Sequence, residues 1–410
     1  MKDTMKRRLH TLYAAALTAA IAAMPAVLLS GCSATDGEGG TSEGERHSIS
    51  FSTSGEMKQL TNTSKATNTA KTTEAGLETL GYTTIYLYGY KTIGSELQNV
   101  MPGYTLNYTA NSAHSSTSNS SDWEYVGQGT DYLGNAQEIK YWDGNSSAYR
   151  FFGVLPKYKD RLQYNGAAIT SSTNVSADGS FSMLFDGLEY MTHASDGKYY
   201  DSNGTEVAEA DIPMYGTMWE GDPASSYDEP VPISFAKPYA LVRVVFERPD
   251  GTSTTVLGKE GDTSHPITFG PKDGSQMAGS GEVSVKWAMA GSREDAQATV
   301  GSVNLPTMTL DPVTLTDQDT RYQTWPEYLM IPATSAVDFK CTAYTYTVNA
   351  SGTDVFDART AIVPAAYMQW KPGYQYTYVF KVTSTNQLEF SHVLEVYTKW
   401  QAGYSETTTW

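Results

Sequence analysis

The chain has 410 residues, with 28 Lys plus Arg against 45 Asp plus Glu and a formal charge of −17 at pH 7. An acidic balance of this size is a poor match for nucleic acid or an anionic membrane surface, both of which require clustered cations. Two cysteines exclude a disulfide scaffold and a Cys-ligated zinc site. The hydrophobic content of 40%, with 29 Tyr and 35 Gly, points to a folded chain rich in strands and turns.

Residues 1–31 read as a secretory signal. Lys2, Lys6, Arg7 and Arg8 form a basic start, and an apolar run from Leu12 to Leu29 ends at Leu29-Ser30-Gly31-Cys32. A basic segment, an apolar segment and small residues at the cut define such a signal. The Cys that follows matches a bacterial lipobox, so lipidation at Cys32 and cleavage before it are expected. A transmembrane helix fits less well, because the apolar run leads directly into small residues, a Cys and a polar tether. Removing 1–31 leaves 379 residues at a formal −20, anchored to a membrane by lipid. The other cysteine, Cys341, lies in the alternating stretch Val337 to Tyr344. It reads as a small core residue, with a reactive thiol the lesser alternative.

Residues 32–46 are short, polar and acidic, a solvated tether. Next comes a short strand carrying Ile49 and Phe51 in alternation. From 54 to 79 the chain offers almost no large apolar group, which predicts a long loop. Strands are expected over 82–90, 104–110, 123–126, 138–142, 149–155 and 181–185. Asp-Gly pairs at 143–144, 178–179, 186–187 and 196–197 predict turns, since both residues tolerate positive φ. The Pro- and acid-rich stretch 220–230 reads as a linker. Strands then recur at 239–247, 267–269, 283–289, 328–331, 339–348, 374–383 and 389–400. Short strands at this spacing predict an all-β chain built of sandwiches. The expected division is an N-terminal domain over 47–230 and a C-terminal domain over 231–410.

No constellation for catalysis emerges. After the signal, His47, His114, His193, His265 and His392 each stand alone, without a second His at metal-ligand spacing. Gly403-Tyr404-Ser405 lacks the second Gly of a nucleophile elbow, and there is no phosphate-binding or dinucleotide fingerprint. The carboxylate pairs Asp228/Glu229 and Asp317/Asp319 sit in turn-like sequence. The expectation is a protein that is not an enzyme and uses no metal or cofactor. The Tyr and Trp side chains have two readings, as core or as a platform for stacking on sugars.

Several segments together resemble the fimbrillin family of the Bacteroidales, the subunits of type V pili and their tip and anchor relatives. They are the lipobox at Cys32, Ile49-Ser50-Phe51, the Tyr82 to Tyr90 strand, and Tyr149 to Pro156. Ile212 to Gly216, Tyr239 to Val244, Tyr328 to Pro332 and Trp370 to Tyr378 complete the series. Each motif is weak alone, but their order runs across nearly the whole chain after the signal. The resemblance implies two tandem transthyretin-like, Greek-key β-sandwiches. It also implies export as an outer-membrane lipoprotein and assembly into a cell-surface fimbria.

In that family a protease removes the first strand, and a strand donated by the next subunit fills the groove. The logic is sound, since a missing strand exposes unpaired backbone and an apolar slot. Ile49 and Phe51 would mark the displaced strand. The family's cut falls at an Arg between the first and second strands; here that loop holds Lys58, Lys65 and Lys71, and Arg46 precedes Ile49. These four are the candidate cleavage sites, with Arg46 as a plain tether residue the alternative. At the other end Phe390, His392, Leu394, Val396, Trp400 and Tyr404 alternate as one face of a candidate donor strand. Equally, 389–400 could simply close the C-terminal domain. The expected partners are other pilus subunits, the outer membrane through the lipid, and a host or bacterial receptor, with no nucleic acid. A surface glycan-binding lipoprotein is the rival reading.

Overall fold

The computed structural model describes residues 47–53, 76–109, 122–227, 229–248, 254–291, 293–301, 303–316, 321–332, 337–383, 385 and 387–397. The signal, the tether and most of the 54–79 loop lie outside them, as do Cys32, Arg46, Lys58, Lys65, Lys71, His114, Trp400 and Tyr404. Residues from His47 onward form one compact unit. Among the described residues the elements are β-strands and short 3₁₀ turns, and no helix is long and apolar enough to cross a membrane.

Four larger sheets enclose two hydrophobic cores. One five-stranded sheet runs in the order Trp219–Gly221, Ala148–Val154, Thr84–Ile93, Glu96–Tyr108 and Trp123–Glu124. A second holds Glu294–Val300, Ser280–Ala288, Ser180–Glu189, Gln163–Tyr164 and Ala167–Ala168. Between them lies the first core, an aromatic one, where Phe152 stacks on Trp287 at 4.9 Å and Phe181 meets Tyr88 at 5.3 Å. Alternation explains the faces: Ile85 and Leu87 point inward, as do Met183 and Phe185 opposite them. At the base of this core Gly216 lies against Gly153, so closely that a Cβ would sit 2.1 Å from the Gly153 carbonyl oxygen. That approach lets the Trp287 indole N–H donate to the Gly216 carbonyl at 2.8 Å.

The second core lies between an eight-stranded sheet and a six-stranded one. The eight-stranded sheet is centred on Ala240–Glu247, flanked by Glu327–Met330 and Tyr374–Val382. The six-stranded sheet is centred on Phe339–Val348, with Asp354–Val363 along its whole length. Cys341 is fully buried there, as expected, and burial pushes its thiol well above the ordinary value. The central strand Ala240–Glu247 is buried on both sides. Ala240, Val242, Val244 and Phe246 face the second core, whereas Leu241 joins the first, along with Leu329 and Ile331. A strand buried on both faces reads as a continuous apolar run, as this one does apart from Arg243 and Glu247.

The observed arrangement differs from the sequence expectation in four places. Hydrogen bonding crosses the 230/231 position in both directions: Met191–His193 pairs with Glu327–Leu329, and Ser280–Ala288 pairs with Ser180–Glu189. The supposed linker is structured, because Trp219–Gly221 extends a sheet edge beside Phe151, Arg150 and Tyr149, and Arg150 pairs with Glu220 at 3.0 Å. Asp186-Gly187 is not a turn but a bulge within Ser180–Glu189, where Gly187 takes φ +64° and the register with Ser280–Ala288 shifts. The segment 138–142 forms only an isolated bridge, Ser48 to Tyr141, rather than a strand. Its Ile139 and Tyr141 alternate as a strand would, but its neighbour is the short first segment, too short to extend a ladder.

Candidate functional site

The first segment, His47–Thr53, is seated as an insert in the first core. Ile49 and Phe51 are almost fully buried there. Backbone bonds hold it from both sides. The Ile49 N–H donates to Lys140 O at 2.8 Å and the Trp142 N–H donates to His47 O at 3.0 Å. Across the slot, Val231 N–H donates to Ser50 O at 2.8 Å and Ile233 N–H to Ser52 O at 2.7 Å, giving a short parallel pair with Val231–Pro232. The Tyr125 hydroxyl donates to Ile49 O at 3.1 Å while accepting from Lys140 N–H at 2.9 Å. Burial pushes the Tyr125 phenol well above its ordinary value, the Lys140 backbone bond opposing that. The Phe51 ring meets Phe151 at 5.2 Å and Tyr125 at 6.0 Å, edge to face.

The two ends of the insert are pinned by different means. His47 stacks on Tyr227 at 4.6 Å with the rings 6° from parallel. At the far end Thr53 Oγ1 accepts from the Leu77 N–H at 3.2 Å and donates to Glu78 Oε2 at 3.2 Å. The chain that leaves Thr53 therefore returns to it at the 3₁₀ turn Leu77–Leu80, the described end of the 54–79 loop. Without the insert, the facing groups of Lys140, Trp142, Val231 and Ile233 would lose their partners beside an apolar slot. Burial of Ile49 and Phe51 contributes about 1.5–3 kcal/mol each.

At the other end, Leu388–Tyr397 pairs antiparallel with Tyr374–Val382 and forms the edge of the eight-stranded sheet. Phe390, Leu394 and Val396 thus lie in a strand that closes this sheet. They do not share one face. The register shifts between Val379 and Phe380, which pair with His392 and Phe390, so Ser391 is an extra residue. This bulge reverses the alternation beyond it. Phe390 and Val393 pack on the second core, and Phe390 meets Tyr367 at 5.3 Å and Phe380 at 5.9 Å. Leu394 and Val396, opposite Thr377 and Gln375, turn to the other side. Lys371 holds Glu395 at 2.6 Å.

A buried charged cluster escaped the sequence reading. Arg243 Nη2 meets Glu327 Oε1 at 2.6 Å, His193 Nδ1 meets Glu327 Oε2 at 3.0 Å, and Gln323 Nε2 donates to Oε1 at 2.7 Å. Burial alone would raise the Glu327 carboxyl; the Arg243 guanidinium and His193 outweigh it and hold it below its ordinary value. Tyr199 lies between His193, stacked at 4.4 Å, and Lys237, whose ammonium is 4.5 Å from the ring centre. Burial pushes the Lys237 ammonium down to about 8, with Glu209 opposing at 3.3 Å. The available signal was a cation inside an apolar strand. Among the described residues, no group of three His, Cys, Asp or Glu is placed to hold a metal.

No protein-family model matches the chain, and no curated protein matches it. Solved structures do. A candidate cell adhesion protein from Bacteroides uniformis is 13% identical, covering 87% of this chain and 99% of its own, at a TM-score of 0.27. One from Parabacteroides distasonis is 11% identical over 88% and 98%, at 0.29. A structure described as candidate polysaccharide binding proteins, from Bacteroides thetaiotaomicron, is 9% identical over 78% and 91%, at 0.22. At these identities and scores the likeness is distant.

Proposed function

We propose that the protein is a non-catalytic structural or accessory subunit of a cell-surface pilus that supports adhesion and assembles by β-strand donation. The observation that carries this reading is the insert itself. His47–Thr53 is hydrogen-bonded on both sides, apolar at Ile49 and Phe51, and joined to the next element only through the 54–75 stretch. A cut at Lys58, Lys65 or Lys71 would turn a covalent strand into a bound peptide. Its departure would open a slot suited to an alternating apolar strand. A cut after Arg46 has a different consequence, because the compact unit starts at His47. It would release the lipid anchor while leaving the insert in place. The tail from residue 398 to Trp410 supplies the donor, with Trp400 and Tyr404 as its anchors beyond the closing strand.

Limited digestion with a lysine-specific protease tests the proposal. The expected products are a body starting after one of the three lysines, loss of the peptide containing Ile49, and concentration-dependent polymers visible by electron microscopy. Deleting 398–410 should abolish polymers while leaving the melting temperature of the uncut protein unchanged. A nicked body that keeps its peptide and stays monomeric would sink the reading.

A further inference from the structure

Among the described residues, three strands longer than three residues end a sheet: Asp354–Val363, Leu388–Tyr397 and Glu294–Val300. The first two lie against each other. The third pairs with Ser280–Ala288 along its whole length without a bulge, and no strand covers its other side. The Gly301 N–H donates to Ser280 O at 2.7 Å, and alternation from there turns the backbone groups of Asp295, Gln297 and Thr299 toward Ser280–Ala288. Those of Ala296, Ala298 and Val300 point outward, and no described residue bonds to them. From Ala296 to Val300 there is no charge, proline or bulge, the features that keep an exposed edge from pairing. We propose that this edge joins the same edge of a second copy, antiparallel, so that one sheet runs through both molecules.

The strand is its own complement. A two-fold axis at Gln297 sets Ala296 opposite Ala298, Asp295 opposite Thr299 and Glu294 opposite Val300, so no like charges meet. Ala296 and Ala298 then exchange both backbone bonds, once on each side of the axis. The two ends of the strand also suit this symmetry. Val300 is 45% exposed at one end, and at the other a cleft opens beside Tyr215, Glu294, Ala296, Pro372 and Tyr374. Val300 shares the core-side face with Glu294, Ala296 and Ala298. Across the axis each Val300 therefore reaches the mouth of the other copy's cleft. The charged groups there have partners of their own. Arg293 donates to the Tyr374 hydroxyl at 3.0 Å, Lys371 pairs with Glu395 at 2.6 Å, and Glu294 accepts the Met218 N–H at 2.9 Å. The walls left for Val300 are Ala296, Pro372 and the tyrosine rings. A foreign strand would have to supply both a side chain for the cleft and a cover for Val300; the second copy supplies both.

The test uses the uncut chain from residue 32 with Cys32→Ser. Sedimentation velocity between about 0.01 and 0.5 mM should show a reversible dimer with a Kd of about 0.1 mM, the weak range of a small interface. Ala298→Pro removes an outward N–H that the monomer does not use, and Gln297→Lys sets two ammonium groups face to face on the axis. Each should raise the Kd at least about tenfold while keeping the parent's melting temperature. Gln297→Cys should form a disulfide-linked dimer in oxidised glutathione, because facing residues at a non-hydrogen-bonded position lie about 4.5 Å apart, within bridging range. Thr299→Cys, placed opposite Asp295, and the distant exposed Lys198→Cys should cross-link far more slowly; Cys341 is buried and takes no part. A chain that stays monomeric to the top of that range overturns the proposal. So does dimerisation of Ala298→Pro and Gln297→Lys at the parent's Kd, or cross-linking of Gln297→Cys no faster than Lys198→Cys. Deleting 398–410 should leave this dimer unchanged, which separates it from strand donation, and a dimer that needs those residues would also overturn it.

Discussion

A guanidinium in the middle of an apolar strand needs a partner, and Glu327 is the partner of Arg243. Removing one member of a buried pair leaves the other charge stranded, at a cost of about 3–5 kcal/mol. Arg243→Met should lower the unfolding free energy, read from urea denaturation, by that amount at pH 7. Glu327 has a folded-state value below its ordinary 4.5, so the unfolded chain binds its proton first. The stability it contributes is therefore present above the ordinary carboxylate range and lost as pH falls through the depressed value. The gap between parent and Arg243→Met should narrow between pH 6 and about 3; a constant gap would refute the assignment. Lys237 acts with the opposite charge. Its value drops from 10.5 to about 8, so above pH 8 the unfolded chain holds the extra proton and stability rises with pH. Comparing urea midpoints of parent and Lys237→Met from pH 7 to 9.5 should show the parent gaining relative to the variant, below the range where tyrosines ionise at about 10. The oddity of Arg243 was legible in the sequence, but its partner was not, since nothing local links it to His193 or Glu327.

At the scale of elements, apolar alternation located most strands, and Phe339–Val348 was expected with the bounds it has. Asp354–Val363 escaped because it is an edge strand whose core-side face carries Asp357 and Arg359 beside the buried Ala361 and Val363, which blurs the pattern. Bulges escaped as well. One extra residue at Ser391, or at Gly187, leaves composition unchanged while reversing every side chain beyond it. The consequence is measurable. Phe390→Ala removes a half-buried ring held among Tyr367, Tyr378 and Phe380 and should cost about 1.5–3 kcal/mol. Leu394→Ala should cost clearly less, although an unbroken alternation would make the two equivalent. Chemical denaturation of both variants decides this, and equal losses would place Leu394 on the same face. The buried state of Ile49 and Phe51 followed from their spacing, whereas their parallel pairing with Val231–Pro232 could not be read from seven residues.

For the whole molecule, the chain crosses between its two cores more than once. The Met191–Val207 strands join the sheet of the second core, and Ser280–Val300 returns to the first. A fragment 231–410 would carry Ser280–Ala288 without Ser180–Glu189, and Glu327–Met330 without Met191–His193. Expressed alone it should lack a cooperative thermal transition, and co-expression with 47–230 should restore one. A fragment that melts cooperatively by itself would show that the crossings are dispensable. Sequence punctuation suggested a clean break near Pro230 because Pro and acidic residues usually mark linkers. Here they mark an edge strand and a capped turn at Asp222.

The central pair Ala240–Glu247 and Tyr374–Val382 runs parallel, from Leu241 beside Gln375 to Glu247 beside Lys381. A tug on the two chain ends therefore pulls on opposite ends of this pair. Its evenly spaced rungs are loaded side by side rather than one after another. Under tension the middle of the molecule behaves as a lap joint and not as a zipper, so the strands at the two chain ends yield before it does.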